Sequence, residues 1–196
     1  MNVLAIPFPD SAVALAANQL VLEVSPPFLY YHCVRSYIFA HLLGSRERLH
    51  YDQELLYLGA LLHDLGLTER FDDIHPFEIA GANAARTFLL QQELPAEKAE
   101  VVHRAIALHL SVEARQQRPE IALVHFGAIM DARGYRLEDV PGEVLHQILE
   151  TYPRLGFKQA FAEAMMAEAR KKPTSAVAMA IRNGALDGLL QAPFPD

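Results

Sequence analysis

Apolar residues recur every three to four positions along most of the chain, which is the spacing of one face of an α-helix. The first such segment follows Asp10 and Ser11, residue types that cap helix N-termini well, and it continues to about Val24. Runs of strictly alternating apolar and polar residues, which would predict strands, are absent. The pattern therefore predicts an all-α protein.

The ends of the other helices are predicted from caps, early prolines and terminal glycines. The expected segments are 28–43, closed by Gly44; 52–64, ended by Gly66; a helix opened by Pro76 after a loop at 68–74; 96–109; 119–133; 142–151; 156–171; and 174–185. The proline-rich tail, residues 191–196, is expected to be extended. No linker, repeat or low-complexity block interrupts the chain, so we expect residues 1–196 to form a single domain.

Composition narrows the class of protein. Of the 196 residues 52% are hydrophobic and 21% are charged, with a net charge of -7. This balance favours a soluble globular protein, and no Lys/Arg cluster indicates a nucleic-acid surface. The N-terminus lacks a basic region, and no apolar run is long enough to span a bilayer, so we expect a cytoplasmic protein that binds neither nucleic acid nor membrane. The apolar content leaves room for a homodimer.

The single cysteine, Cys33, excludes an intrachain disulfide framework and fits a reducing compartment. It follows His32, so a thiol nucleophile is one interpretation. A small buried hydrophobe on a helix is the other, and it is favoured because no Cys-His-Asn pattern accompanies the pair.

The most informative feature is His63-Asp64, two metal-competent side chains at the end of a strongly apolar helix. A buried carboxylate is costly without a partner, and one divalent cation can satisfy both side chains. His32 and Asp131 are candidate partners because each lies where an apolar helix would otherwise carry a core residue. Taken alone, His32 could be a core histidine with a satisfied ring, and Asp131 could form a simple salt bridge.

The order His…His-Asp…Asp along successive helices resembles the HD superfamily of metal-dependent hydrolases. Further stretches are similar to its cyanamide-hydratase-like branch, at residues 32–40, 62–66, 77–82, 105–109 and 127–131. The resemblance covers roughly residues 26–160, and helices within 161–190 are expected to pack on that core. It implies an HD-type helical bundle whose metal ligands are His32, His63, Asp64 and Asp131.

The number of metal ions is predicted from a position at which this sequence differs from many HD phosphodiesterases. Many HD phosphodiesterases bind a second metal through extra histidines, one of them four residues before the glycine that here is Gly81. That position holds Phe77, which cannot ligate a metal, so we expect a single ion. His75 could compensate, although it is more simply a loop residue. A mixed N/O site suits zinc, with iron, manganese or nickel as alternatives.

The expected chemistry is hydrolysis or hydration, because a divalent ion with open positions makes water more acidic and polarises the substrate. Asp64 could accept a proton as well as ligate. Glu78 could bind substrate or shuttle a proton, or its carboxylate could simply interact favourably with the N-terminal end of its helix. His109 could bind a substrate oxygen or nitrogen. Arg35 could orient a site carboxylate through its planar fork, or form a surface ion pair.

Two classes of function remain at this stage. The first is a metal-dependent enzyme that acts on a small molecule, for example by hydrating a nitrile-like substrate such as cyanamide. Within this class a phosphohydrolase of nucleoside monophosphates is second, because few basic residues lie near the motifs: Arg35, Arg70, Arg104 and Arg133. The second class is a non-catalytic ligand-sensing module, which would have no chemical reason to keep all four ligand types.

Overall fold

A computed structural model describes residues 6–195, and within them the chain forms ten α-helices and no β-strand. The helices are α1 (Ala12–Val24), α2 (Pro27–Arg46), α3 (Gln53–Leu62), α4 (Phe77–Gln91), α5 (Ala96–Leu108), α6 (Pro119–Arg133), α7 (Gly142–Thr151), α8 (Phe157–Lys171), α9 (Ala176–Arg182) and α10 (Ala185–Leu190). Short 3₁₀ turns occur at Leu65–Leu67, Val112–Gln116 and Leu137–Asp139. The prediction of an all-α fold is confirmed.

The centre of the bundle is the pair α2 and α6, which make the most extensive helix contact. Every residue from 32 to 40 is buried, so α2 is covered on all sides rather than on one face. Gly127 allows the two backbones to approach, because a Cβ there would lie 2.1 Å from the carbonyl oxygen of Ser36. This close contact brings the first and last predicted metal ligands, His32 and Asp131, together.

Helix α3 is capped by Asp52, whose side chain accepts hydrogen bonds from the backbone N–H groups of residues 54 and 55. It ends at Leu62, so the His-Asp pair lies just beyond its last turn rather than inside it. The following 3₁₀ turn packs on the first turn of α4, where a Cβ on Gly66 would lie 2.0 Å from the carbonyl oxygen of Phe77. The pair is thereby fixed between two helix ends.

The C-terminal helices α8–α10 cover one side of this bundle. Helix α8 contacts α2, and α10 contacts α6. In addition, the Glu168 carboxylate on α8 accepts a hydrogen bond of 2.9 Å from the backbone N–H of Phe77, which is the first residue of α4. An otherwise orphaned N–H at a helix start is therefore satisfied by a side chain 91 residues away.

Two predicted helix ends are wrong, and both involve glycine. Helix α2 continues through Gly44 to Arg46; Gly44 is there because a Cβ would lie 2.6 Å from the ring of Tyr51. The helix expected over 174–185 ends at Arg182 instead, because Gly184 has a φ of +82° that no right-handed helix allows; α10, which follows Gly184, was not predicted. The first glycine makes room for packing, and the second breaks the helix.

The C-terminal tail is docked rather than free. Phe194 is buried, its ring centroid lies 6.4 Å from that of Phe39, and the Arg154 guanidinium lies 4.2 Å from its centroid. Burial of the aromatic ring explains why the tail folds back onto the bundle. Asp196, the last residue of the predicted tail, lies outside the described residues. Within residues 6–195, no helix combines the length and the apolar character needed to cross a membrane.

Candidate metal centre

Two histidines at the site are fixed by the helices that they end. His63 follows α3 and His109 follows α5, and each places Nδ1 against the carbonyl oxygen three residues earlier, at 2.7 Å and 2.6 Å respectively. A carbonyl oxygen only accepts, so Nδ1 is the protonated nitrogen in each neutral ring. Both Nε2 atoms therefore keep a lone pair for a ligand. The free carbonyls of a helix C-terminus thus set the tautomer.

The ring of the third histidine, His32 on α2, is held in place by residues of α6 and α8. Its Nδ1 lies 2.7 Å from Oδ2 of Asp131, which accepts the hydrogen bond. Its ring stacks on Phe157, with centroids 4.7 Å apart, and also contacts Phe161. In the neutral ring this leaves the lone pair on Nε2, pointing away from Asp131. Two aromatic residues of α8 therefore hold a side chain of α2 in position.

The free nitrogens converge on Asp64. Its Oδ2 lies 3.5 Å from Nε2 of His32 and 3.3 Å from Nε2 of His63, and the two Nε2 atoms are 3.3 Å apart. These three residues can offer ligand atoms that all lie within 4.8 Å of one another. Ligands at about 2.1 Å from a tetrahedral ion lie about 3.4 Å apart, which is close to the observed spacing. Two lone pairs facing each other at this distance repel unless a cation lies between them.

Asp64 gives the strongest indication of a cation. Its side chain is 1% exposed, and neither carboxylate oxygen has a hydrogen-bond partner. Burying an ionised carboxylate without a partner is far more costly than burying an apolar side chain. A divalent ion would satisfy all three groups, because Nε2 of His63 and, in the neutral tautomer, Nε2 of His32 face the carboxylate with lone pairs rather than protons. The residues present therefore fit a metal site.

The electrostatics of the site agree with this arrangement. Burial, with a smaller contribution from the neighbouring His32, lowers the pKa of His63 to about 3. Burial likewise lowers the pKa of His109 to about 3, with His63 as the next contribution. Burial raises the pKa of Asp64. The two imidazoles are thus neutral near pH 7, which is the protonation state that binds metals.

Asp131 lies on the far side of the His32 ring and does not join the three-residue group. Arg35 grips it with a two-pronged fork, Nε to Oδ1 at 2.7 Å and Nη2 to Oδ2 at 2.9 Å, and Arg154 adds Nη1 to Oδ1 at 3.1 Å. Although burial would raise its pKa, the Arg35 guanidinium and His32 hold the pKa of Asp131 well below its usual range. The carboxylate orients His32, and its role as a metal ligand stays a prediction.

The same contacts decide between the two interpretations of Arg35. The residue is fully buried, which excludes a surface ion pair, and its guanidinium holds the carboxylate of Asp131, as expected if it orients a site carboxylate. Arg154, which precedes α8, was not found from the sequence. It lies in the loop between α7 and α8, directly after Pro153, and nothing in the neighbouring sequence indicates a contact with a residue on α6.

The structure does not bring Glu78 to the site. Glu78 is buried near Glu168 but is not among the residues that line the cavity at the metal centre. Phe77, in contrast, lies edge-on to His109 with centroids 5.5 Å apart, where its side chain fills space beside that imidazole. His75 is exposed and contacts Asp73. The catalytic role of Glu78 and the expectation of one ion stay predictions.

A cavity of about 230 Å³ opens onto the three-residue group. His109 lines it, and its Nε2 lies 3.9 Å from Oδ1 of Asp64, the oxygen on the side away from His32. His125, which belongs to none of the sequence motifs, also lines the cavity; its Nδ1 donates to the carbonyl oxygen of His109 at 2.7 Å. It lies on the face of α6 that carries Ala128 and Ala132, so helical spacing was the available indication.

Comparison with known proteins agrees with this geometry. The HD domain family matches residues 29–139, which is more than half of the chain. This chain therefore belongs to the HD domain family, whose members are typically metal-dependent hydrolases. No curated protein matches the chain significantly. The match ends before α7, so helices α8–α10, which supply much of the cavity wall, lie outside it.

Proposed function

We propose that this chain is a metal-dependent hydrolase or hydratase that acts on a small molecule, with one divalent ion held by His32, His63 and Asp64. The observation that carries the proposal is the Asp64 carboxylate, which is buried without a hydrogen-bond partner beside two imidazole lone pairs. Family membership supports the same class of reaction.

The bound ion would supply Lewis acidity, which makes water more acidic and polarises an oxygen or nitrogen of the substrate. The protein supplies orientation. Asp131 holds the Nδ1 proton of His32 and thereby aims Nε2 at Asp64. The carbonyl oxygen at the end of α3 does the same for His63. These contacts fix the donor atoms before any ligand arrives, so little side-chain ordering is needed on binding.

His109 is the residue best placed to move a proton. Its Nδ1–H is held by the carbonyl of Ile106, so Nε2 is free to accept a proton from water or a hydrogen bond from the substrate. This nitrogen faces Asp64 from the cavity side. Asp64 could also accept a proton on the oxygen nearer to His109. Both residues therefore keep the catalytic roles expected from the sequence, as part of the proposal.

Among substrates, we favour a small neutral or singly charged molecule, of which a nitrile such as cyanamide is one candidate. Of the four arginines close to the motifs only Arg133 lines the cavity; the others bind protein groups. One cation gives little support to a nucleotide phosphate, so nucleoside monophosphates rank second. A non-catalytic sensing module is less well supported, because the ligand atoms face a cavity that a substrate could enter.

Metal analysis tests the ion. Protein purified without added metal should contain one divalent ion per chain, and the exposed variant Asp10→Asn should contain the same amount. Asp64→Asn should contain almost none, because it loses the only carboxylate among the three ligands. Equal, near-zero metal in all three proteins, even after incubation with zinc, iron, manganese or nickel, would contradict the proposal. The metal retained also identifies the ion.

A substrate screen tests the reaction. Cyanamide, small aliphatic nitriles and nucleoside monophosphates are each incubated with the metal-loaded protein, and hydration product or released phosphate is measured. The expected result is turnover of a small molecule that both Asp64→Asn and His109→Gln lose. Phosphate release that depends on Asp64 would instead favour the phosphohydrolase.

A further inference from the structure

The cavity above the metal centre is apolar apart from its floor and one arginine. Its floor is the group of histidines with Asp64, and its walls come mainly from α6 and α8–α10. Representative wall residues are Phe161, Met165, Val177, Ile181, Leu186 and Leu189. Its volume of about 230 Å³ lies below the range of roughly 300–1,000 Å³ that is usual for pockets of drug-sized ligands. The cavity thus suits the apolar body of a small molecule.

Arg133 is the one positively charged side chain other than histidine on the cavity lining, and because it is also exposed to solvent it lies at the cavity mouth. Among residues 6–195 it has no hydrogen-bond acceptor and no carboxylate partner. Its guanidinium lies over Gly188 of α10, where a Cβ would be 2.4 Å from Nη2. A glycine at this position therefore leaves the space that the guanidinium occupies beside the cavity.

A cation in the last turn of α6 also interacts favourably with the helix dipole. That role requires only a position at the helix end. It explains neither why the side chain lines an apolar cavity nor why the opposite helix has a glycine under the guanidinium. At the cavity mouth the guanidinium has no protein partner and can therefore form two parallel hydrogen bonds to the carboxylate of a ligand that enters the cavity.

We propose that this site binds a small substrate with an apolar body and one anionic group, and that Arg133 pairs with the anion. The inference rests on the proposed function only for the reacting end of the substrate. Burial of the apolar body supplies most of the binding free energy, and the arginine selects the charge. A net charge of -7 disfavours polyanions such as nucleoside triphosphates, so a monoanion is the better match.

Binding of benzoate and benzamide tests this recognition, since the two probes have nearly the same size and differ in charge. Isothermal titration calorimetry is performed on the full chain as purified and after removal of metal by a chelator. The wild-type chain should bind benzoate about tenfold more tightly than benzamide in both preparations, as expected for one charge-assisted pair. Arg133→Met should lose the preference and still bind benzamide.

Matched variants distinguish effects at the cavity from general effects of removing a charge or adding a ring. Arg182→Met on α9 removes an exposed arginine that does not line the cavity, and it should keep the tenfold preference. Ala180→Phe adds a ring to the cavity wall and should weaken both probes at least tenfold. Met179→Phe adds a ring at the neighbouring exposed position outside the lining and should leave both affinities unchanged.

Several results would overturn the inference. These are equal binding of the two probes, a preference that survives in Arg133→Met, a preference that disappears on chelation, no binding of either probe, and tighter binding of adenosine monophosphate than of benzoate. Loss on chelation would place the carboxylate on the ion rather than on the arginine. If the chain holds no metal even after incubation with the candidate ions, but the Arg133-dependent preference remains, the proposed function fails and this inference stands.

Discussion

Replacing Asp131 by asparagine removes one negative charge from a cluster that water does not reach. Asp131 and Arg35 are both 0% exposed, and the carboxylate accepts four hydrogen bonds from three side chains. The variant leaves the Arg35 guanidinium buried without its counter-ion. Breaking a buried ion pair in this way costs about 3–5 kcal/mol. Since domains of this size are stable by about 5–15 kcal/mol, the loss is large and measurable.

The same loss is expected from Arg35→Met, which leaves the carboxylate with fewer donors. In the double variant the charges of Asp131 and Arg35 are both gone, a side chain of similar volume fills the site of Arg35, and Arg154 keeps the backbone carbonyl of residue 131 as an acceptor. We therefore expect the double variant to cost at least about 2 kcal/mol less than the sum of the two single variants. Equilibrium urea unfolding of the chelated proteins measures all four corners of this cycle.

Metal affinity gives the second measurement. If Asp131 acts through His32, Asp131→Asn should weaken metal binding about 10- to 100-fold and leave one ion per chain at saturation. Single-variant costs that add to within about 0.5 kcal/mol would refute the buried pair as a coupled unit. Failure of Asp131→Asn to bind metal at any concentration, while the chain stays folded, would refute the positioning role and favour Asp131 as a ligand.

Further predictions concern packing, recognition and pH. Gly127→Ala should destabilise the chain by about 3 kcal/mol or more in urea unfolding, because the methyl group would lie 2.1 Å from a carbonyl oxygen of α2. As a control, a methyl group at Gly142 would meet nothing within 4 Å, so Gly142→Ala should change the free energy of unfolding by at most about 1 kcal/mol. Gly188→Ala should leave the melting temperature unchanged, since the flexible Arg133 side chain can move aside, yet reduce the preference for benzoate. His109 has a folded pKa of about 3 against an ordinary 6.5, so the unfolded chain binds more protons between these values and stability of the chelated protein falls as pH falls from 6.5 to 3. His109→Gln should reduce that slope by about 1.4 kcal/mol per pH unit, and an unchanged slope would contradict the buried neutral ring.

Helix ends that depend on local chemistry were predicted well. The Ser11 side chain accepts from the backbone N–H of Ala14, and Pro119 opens α6, as the sequence pattern indicated. Glycines were predicted less well, because a glycine that breaks a helix and one that makes room for a neighbour look alike in sequence. Gly44 lies inside α2 against the ring of Tyr51, whereas Gly184 has a left-handed backbone that ends a helix, and neither outcome is visible in the local sequence.

The candidate site shows the same division. The adjacency of His63 and Asp64 at the end of an apolar helix, together with His32 upstream, is visible in the chain, because a carboxylate there needs a cation to be buried. The contacts of Asp131 were not visible. It lies 96 residues from Arg35 and 23 from Arg154, and no local pattern relates these positions.

The sequence by itself determined most of the helices, their approximate ends and the residues that could hold an ion, since caps, periodicity and ligand chemistry act over a few residues. Only the tertiary structure decided which atom of each side chain faces the site, that two arginines hold Asp131, and that α8–α10 cover the candidate metal centre with an apolar wall next to Arg133 of α6. These features depend on packing between distant segments, and packing is a property of the whole fold rather than of any stretch of chain.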